Sequence, residues 1–548
     1  QSRPALAAMG TASRDAFFRY VDDHKDLYIS RLAEAVAIPS VSADPKRRDD
    51  CVRMVAKYRE LMDSLGVQSE LRELGTHTVN GAELPLPPVI VGRYGSDASK
   101  RTVCAYSHLD VQPAAKADGW NTEPFELTRV EQSAADDEAS GYGAFPSGGK
   151  LFGRGATDDK GPALAWLWAI EAYQELGLEF PVNLLFLIEC MEESGSLGLE
   201  QVVVREFGAG GYLEAAEAIC VSDNYWLGTK KPCVQYGLRG IVYFFAEVSG
   251  PAADLHSGKF GGVVHEPLLD LVHVLASLAD PQGHIRVLGV MELVAPLTEA
   301  ERRLYEAIDF DLPSLQRVAA APRLLHPESA ESALMHMWRY PSLTVHGIEG
   351  AHAAAGAKTV IPSRVTGKFS IRLVPDMEPA QVEALVKEHC EKAFAAHGSC
   401  NTLRVWTEHG GMAFGGDPFD ENYQAAARAN RAVYGVEPDM VRSGGSIPVT
   451  LTMQETGRSV VLFPVGRADD GAHSQNEKID CNQLLAGVKL LGTYLEEFSR
   501  APGRTAAPTP AVEVCQAVGE PPRKRPAWAR RRWGMCGNMA EGQCACCF

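Results

Sequence analysis

Apolar side chains recur at roughly helical spacing from Asp15 to Ala37, and Ile38-Pro-Ser-Val-Ser then breaks the pattern with a proline. The chain is therefore expected to enter its fold through a helical segment. A different rhythm follows. Val103-Cys-Ala-Tyr is a short unbroken apolar run leading to His108, which predicts a buried strand whose C-terminal edge presents polar side chains. The runs from Val182 to Glu189 and from Ala218 to Asp223 repeat that design. Between the first two strands, Pro162 to Leu176 carries Ala, Leu, Trp and Ile at helical spacing. Such alternation predicts an α/β fold built on a largely parallel mixed sheet with helices on both faces. Ligands of these sheets gather at the strand C-termini, where His108, Glu192, Glu193 and Asp223 fall.

The texture changes after Tyr236-Gly-Leu-Arg-Gly. Ile241 to Val248, Lys368 to Val374 and Thr402 to Trp406 read as strands, and Pro267 to Leu278 as a helix. With 548 residues, more than one hydrophobic core is expected. The reading is a first domain over 15–236, an inserted α+β domain over 237–411, and a return to the first domain over 412–500. Glu131 to Gly149 is acidic, rich in Gly and Ser and without apolar period, so a surface loop is expected there. The stretch 501–548 is rich in Pro and Ala and then strongly basic, and predicts a disordered tail.

Charge narrows the partners. Lys and Arg total 53 against 70 Asp and Glu, a net charge of -17, which argues against nucleic acid or an anionic membrane and for a small substrate. No apolar stretch approaches the roughly 20 residues that cross a bilayer, and no basic segment followed by an apolar run and a cleavage site opens the chain. Eight of the 13 cysteines are scattered without metal or disulfide spacing, as reduced thiols of a cytoplasmic enzyme would be. The other five crowd into the tail.

Ligand-type residues concentrate in five stretches, mostly beside glycine: Ser107-His-Leu-Asp-Val-Gln-Pro, Gly153-Arg-Gly-Ala-Thr-Asp-Asp-Lys-Gly, Met191-Glu-Glu-Ser-Gly-Ser, Val221-Ser-Asp-Asn-Tyr, and Asp469-Asp-Gly-Ala-His-Ser-Gln-Asn-Glu. Any one alone is a weak signal. Together they supply two imidazoles and several carboxylates, a set that suits zinc, manganese or cobalt. Two cations ~3.5–4 Å apart repel strongly, so a shared anionic ligand and terminal ligands on each side must offset the charge.

These stretches, with Tyr236-Gly-Leu-Arg-Gly, Asp254-Leu-His-Ser-Gly, Trp338-Arg-Tyr-Pro-Ser-Leu, Gly356-Ala-Lys-Thr-Val-Ile-Pro and Gly444-Gly-Ser-Ile-Pro-Val-Thr, resemble the di-metal aminopeptidases and carboxypeptidases that include aminoacylase and carnosinase. The resemblance runs from about Phe17 to Ser499 and is strongest to the dipeptidase branch. It implies a di-zinc exopeptidase type of fold with an inserted lid and dimerisation domain, and broad hydrolysis of dipeptides as a homodimer. Asp158 would bridge two divalent ions, Mn or Zn, with His108 and Asp223 completing one and Glu193 and His473 the other. Glu192 would be the general base, and Asp110 would orient His108. His256 would reach the partner subunit's site and stabilise the oxyanion, while Arg372, Thr359 and Ser446 would hold the substrate carboxylate. The resemblance also implies a cis peptide bond between Asp158 and Asp159.

Three departures stand out. Ser107 replaces the usual glycine before the metal-binding histidine, Ser443 stands where near relatives carry a glutamate, and the 131–149 loop lengthens the gap between His108 and Asp158. Loss of the glutamate puts recognition of the substrate's free amine in question. Two alternatives stay open at this point: deacylation of N-acyl amino acids, and a non-catalytic protein that keeps the fold.

Overall fold

The computed structural model describes residues 11–79, 81–139, 144–445 and 447–500. Its central sheet has nine strands, ordered Gln68–Arg72, Val89–Tyr94, Asn183–Glu189, Thr102–His108, Ala218–Val221, Ser459–Leu462, Cys233–Leu238 and Phe414–Gly415, with Asp439–Ser443 paired to Cys233–Leu238. The middle is parallel: Thr102–His108 lies between Asn183–Glu189 and Ala218–Val221, and Ser459–Leu462 continues in the same sense. Antiparallel pairs flank it on both sides.

Each buried strand feeds two cores. Val103 and Ala105 join Leu184, Phe186 and Ile188 on one face, under the helices Thr11–Asp23, Lys25–Val36, Lys160–Glu175 and Cys481–Arg500. Cys104 and Tyr106 point oppositely with Leu185 and Leu187, toward the helix Leu199–Phe207. Period-two alternation of side chains that are all apolar produces this double burial, which explains why these strands read as unbroken hydrophobic runs.

The second sheet is antiparallel, ordered Ser342–Glu349, Arg364–Leu373, Gly240–Ser249 and Thr402–Gly411. Val242, Phe244, Ala246 and Val248 face the helices Pro267–Ser277 and Pro379–His397. On its other face Phe245 stacks on Trp406, ring centroids 5.2 Å apart.

Two features depart from expectation. Helices Glu299–Ala307 and Ala330–Trp338 do not stay with the second sheet: Tyr305, Leu334 and Trp338 pack with Trp226, Cys233 and Val441 of the first. Glu301 ties them there by accepting from both Arg339 and Arg442. The stretch expected to be a surface loop at 131–149 contains a helix, Ala134–Ala139. Asp137 is buried and accepts from the backbone N–H and hydroxyl of Ser147, and Phe145 packs edge-on against Trp226 and Tyr434. Local composition hid these contacts because Trp226 and Tyr434 lie far from Phe145 in sequence, and the ten residues from Asp137 to Ser147 carry no apolar period. The 501–548 tail falls outside the described residues.

Candidate metal centre and active site

The ligand-type residues meet at the carboxyl edge of the parallel strands. His108 ends its strand, Glu192 and Glu193 form the 3-10 turn Glu192–Ser194 after the next, and Asp223 follows Val221. Asp158 lies in the loop that enters the helix Lys160–Glu175, and His473 in the loop beyond Ser459–Leu462, with a left-handed φ of 60°. Gly161 permits the tight entry: a Cβ there would run into the carbonyl oxygen of Ala156. The Asp158–Asp159 peptide bond is cis, as the resemblance implied.

One carboxylate stands between the two imidazoles. Asp158 Oδ1 is 3.1 Å from His108 Nε2, and its Oδ2 is 3.1 Å from His473 Nε2. Asp223 Oδ2 lies 3.5 Å from His108 Nε2, and Glu193 Oε2 3.0 Å from His473 Nε2. The donors thus form two clusters, His108–Asp158–Asp223 and Asp158–Glu193–His473, each with its ligand atoms within 4.8 Å of one another and with Asp158 in common. The donor set fits two divalent cations: each cluster pairs one imidazole nitrogen with carboxylate oxygens, and the shared carboxylate has one oxygen for each side.

The electrostatics call for positive charge. Asp110, Asp158, Asp159, Glu189, Glu192, Glu193 and Asp223 are all buried in one region, and burying ionised carboxylates without compensation is strongly unfavourable. Burial pushes the Glu192 carboxyl well above its ordinary range; Asp223, Glu193 and Asp110 add to the effect, and His108 opposes it. Burial would lower His108, yet its contacts with Asp110, Asp158 and Asp223 outweigh that and raise it far above the usual imidazole value. The pocket draws a proton for the same reason that it would draw a cation.

Around this set lies a hydrogen-bonded frame. Asp110 does two jobs: its carbonyl oxygen lies 3.2 Å from His108 Nδ1, and its carboxylate accepts from the backbone N–H groups of Glu192 (3.1 Å) and Glu193 (3.0 Å). Gln112 donates to Glu193 Oε2 at 2.7 Å. Asp159 Oδ2 accepts from the N–H of His108 at 3.2 Å. Sequence reasoning assigned no role to Glu477, although it closes the same motif as His473. Fully buried, it accepts from three successive parts of the Asp158 loop.

The remaining expected residues belong to the second sheet or its border. His256 is exposed, its Nδ1 accepting from the N–H of Gly258, and it pairs with Val360. Thr359 is also exposed, and its carbonyl accepts from the N–H of Ser257, so these two residues are neighbours. No hydrogen bond or ion pair among the described residues joins either to the five ligands. Arg372 is half-buried on Arg364–Leu373, across from Ile241 and Ser342 and beside Arg239. Ser446 lies outside the described residues. Ser443, at the departure noted above, accepts from the N–H of Gly445.

A cation-seeking cluster at the open edge of a parallel sheet, with a buried carboxyl beside it, defines a metal-dependent hydrolase site. Residues 104–497 match Peptidase family M20/M25/M40. The chain is 48% identical over 488 residues to the Cys-Gly metallodipeptidase dug1 of Schizosaccharomyces pombe, covering 89% of this chain and 98% of that protein. It is 43% identical over 490 residues to the Beta-Ala-His dipeptidase of Mus musculus, covering 89% and 96%. Its fold is similar to that of the di-peptidase Dug1p from Saccharomyces cerevisiae, at a TM-score of 0.74 and 46% identity over 90% of this chain and 100% of that one. Human carnosine dipeptidase 1 gives a TM-score of 0.74 at 43% identity, over 91% and 100%. The chain belongs to Peptidase family M20/M25/M40, and it is a metal-dependent hydrolase of the peptidase class.

Proposed function

We propose that this protein is a two-metal dipeptidase, a homodimer that hydrolyses short peptides with broad preference, including dipeptides of the Cys-Gly and β-Ala-His type. The observation that carries the reading is the pair of 3.1 Å contacts from the two oxygens of Asp158 to two different imidazoles. His108, Asp158 and Asp223 would hold one ion, and Asp158, Glu193 and His473 the other. Mn or Zn suits this mixture of nitrogen and oxygen donors. When bound, the ions lower the pKa of water and polarise the scissile carbonyl.

The chain's own residues do the rest. Glu192 takes a proton from the water that attacks the peptide carbonyl and gives it to the leaving amine as the C–N bond breaks, for which a carboxylate beside, but outside, both ligand clusters is suited. Asp110 fixes the Glu192 backbone and His108 together, so that base and ligand keep one relative position. Arg372 binds the substrate carboxylate, for which a planar guanidinium offers two parallel donors, and Thr359 and Ser446 add hydrogen bonds to that end. His256 is exposed and reaches the site of the other subunit, where it stabilises the oxyanion. A reducing, cytoplasmic setting belongs to the same reading. It is supported by the eight cysteines among the described residues, which are free thiols, seven of them buried.

The test is hydrolysis of Cys-Gly and β-Ala-His before and after chelation, with Mn or Zn added back. Loss on chelation and recovery with metal are expected. Turnover that survives chelation, or a preference for N-acetyl amino acids over dipeptides, would overturn the proposal.

A further inference from the structure

Glu477 is buried with no measurable exposure, and both of its carboxylate oxygens are engaged. Oε1 accepts from the backbone N–H groups of Gly155 at 3.0 Å, Thr157 at 3.1 Å and Asp158 at 3.1 Å. Oε2 accepts from Arg154 Nη1 at 2.8 Å. Arg154 in turn donates through Nη2 to the carbonyl of Ser474, the residue after His473. The N–H of Gly153 closes the ring on the carbonyl of Glu477 at 2.9 Å. A second tie runs alongside, from the Thr157 hydroxyl to Asp470 at 2.8 Å. Two loops more than 300 residues apart in sequence, one carrying Asp158 and the other His473, are thereby joined, with Glu477 accepting most of the hydrogen bonds between them.

We infer that Glu477 is a positioning residue: it sets the loop of the shared carboxylate against the loop of His473 before any ion arrives, and so governs how tightly the ion between Asp158, Glu193 and His473 is held. The inference rests on the reading of Asp158 as a ligand common to both ions. A carboxylate is suited to the place because it is acceptor-only on both sides, one oxygen taking three N–H groups and the other a guanidinium. An amide of the same shape cannot serve. Whichever way Glu477→Gln turns, its NH2 faces either three backbone donors or Arg154. Ligand-supporting groups of this kind typically govern metal affinity by about 10–100-fold.

Two measurements test it. In chelated wild-type protein, the amides of Gly155, Thr157 and Asp158 are expected to be protected from hydrogen exchange, and Mn should add little protection. Titration of chelated protein with Mn alone should show one of two sites weakened at least about tenfold in Glu477→Gln. Glu206→Gln breaks a different buried ion pair, that with Arg72, and should leave both sites at wild-type affinity. Free exchange of the three amides until Mn is added would overturn the inference, as would wild-type Mn affinity in Glu477→Gln or an equal loss in Glu206→Gln. If Glu477→Gln fails to fold, the exchange measurement alone decides. Should wild-type protein bind no Mn, the two-metal reading itself fails, a result distinct from any of these.

Discussion

At the scale of single residues, the proposed reading separates groups that would bind metal from one that would move a proton. Asp158 serves both clusters, whereas Asp223 serves only one. Asp158→Asn is therefore expected to lose both ions and Asp223→Asn chiefly one, as read by metal analysis after dialysis. Equal stoichiometry in the two variants would contradict a shared carboxylate. Glu192 belongs to neither cluster. Glu192→Gln should keep both ions while turnover falls by about 10²–10⁴-fold, the usual contribution of a general base. Asp110→Asn leaves shape intact but sets an NH2 against the N–H of Glu192 or of Glu193, so activity should drop by about 10–100-fold. The five proposed ligands and Glu192 were legible as candidates because five stretches concentrate ligand-type residues, mostly beside glycine, and together resemble a known family. Glu477 was not, since a buried acidic residue near a ligand looks the same in sequence whether it faces a metal or backbone N–H groups.

At the scale of elements, what matters is how loops are pinned to strands and helices. Gly161→Ala would press a methyl group into the carbonyl of Ala156, at the turn that presents Asp158. A loss of about 1–3 kcal/mol in urea unfolding is expected, together with weakened Mn binding. Elsewhere Glu206, on Leu199–Phe207, accepts from Arg72 at the end of Gln68–Arg72 and from Arg205 and the N–H of Tyr212. Burial alone would raise its carboxyl, but these donors outweigh it and hold the pKa down to about 2 from an ordinary 4.5. A carboxyl depressed in the folded state stabilises above its unfolded pKa, and that contribution fades as pH falls from about 4.5 toward 2. Urea midpoints should thus differ less between pH 6 and pH 3 in Glu206→Gln than in wild type. An unchanged difference would show that Glu206 takes no part in acid sensitivity. Element types were readable from periodicity, while the helix at 134–139 was not, because its anchor, Ser147, lies beyond a Gly- and Ser-rich stretch of sequence that carries no apolar period.

At the scale of the whole molecule, the buried carboxylates make the fold and its cations interdependent. A ligand that binds only the folded state stabilises by mass action, about 2.7 kcal/mol at a hundredfold excess over its Kd. Chelation should accordingly lower the melting temperature, and Mn should restore it. If His256 acts across a dimer, mixed subunits have a distinctive behaviour. Glu192→Gln and His256→Ala, each nearly inactive alone, should regain partial activity when unfolded and refolded together, because one composite site then keeps both wild-type groups. No regain would place His256 outside the partner's chemistry. Helices Glu299–Ala307 and Ala330–Trp338 also bear on this scale, since they fasten the second sheet's segment to the first through Glu301, Arg339 and Arg442.

Local chemistry along the chain was enough to indicate the parallel α/β core, the second sheet and the stretches that hold the candidate ligands, while the family resemblance supplied the roles of those residues and of Glu192. Apolar periodicity and the residue types that bind cations are properties of short segments, so they survive in a one-dimensional reading. The tertiary structure set the Asp158 carboxylate 3.1 Å from both imidazoles, where the resemblance had implied a shared ligand, and it alone decided that Asp110 holds the Glu192–Glu193 turn and that Glu477 joins two remote loops. It also decided that two helices of the inserted segment pack on the first sheet. Those facts depend on distances of about 3 Å between groups that are up to some 320 residues apart, and closure of the fold, not local preference, sets such distances.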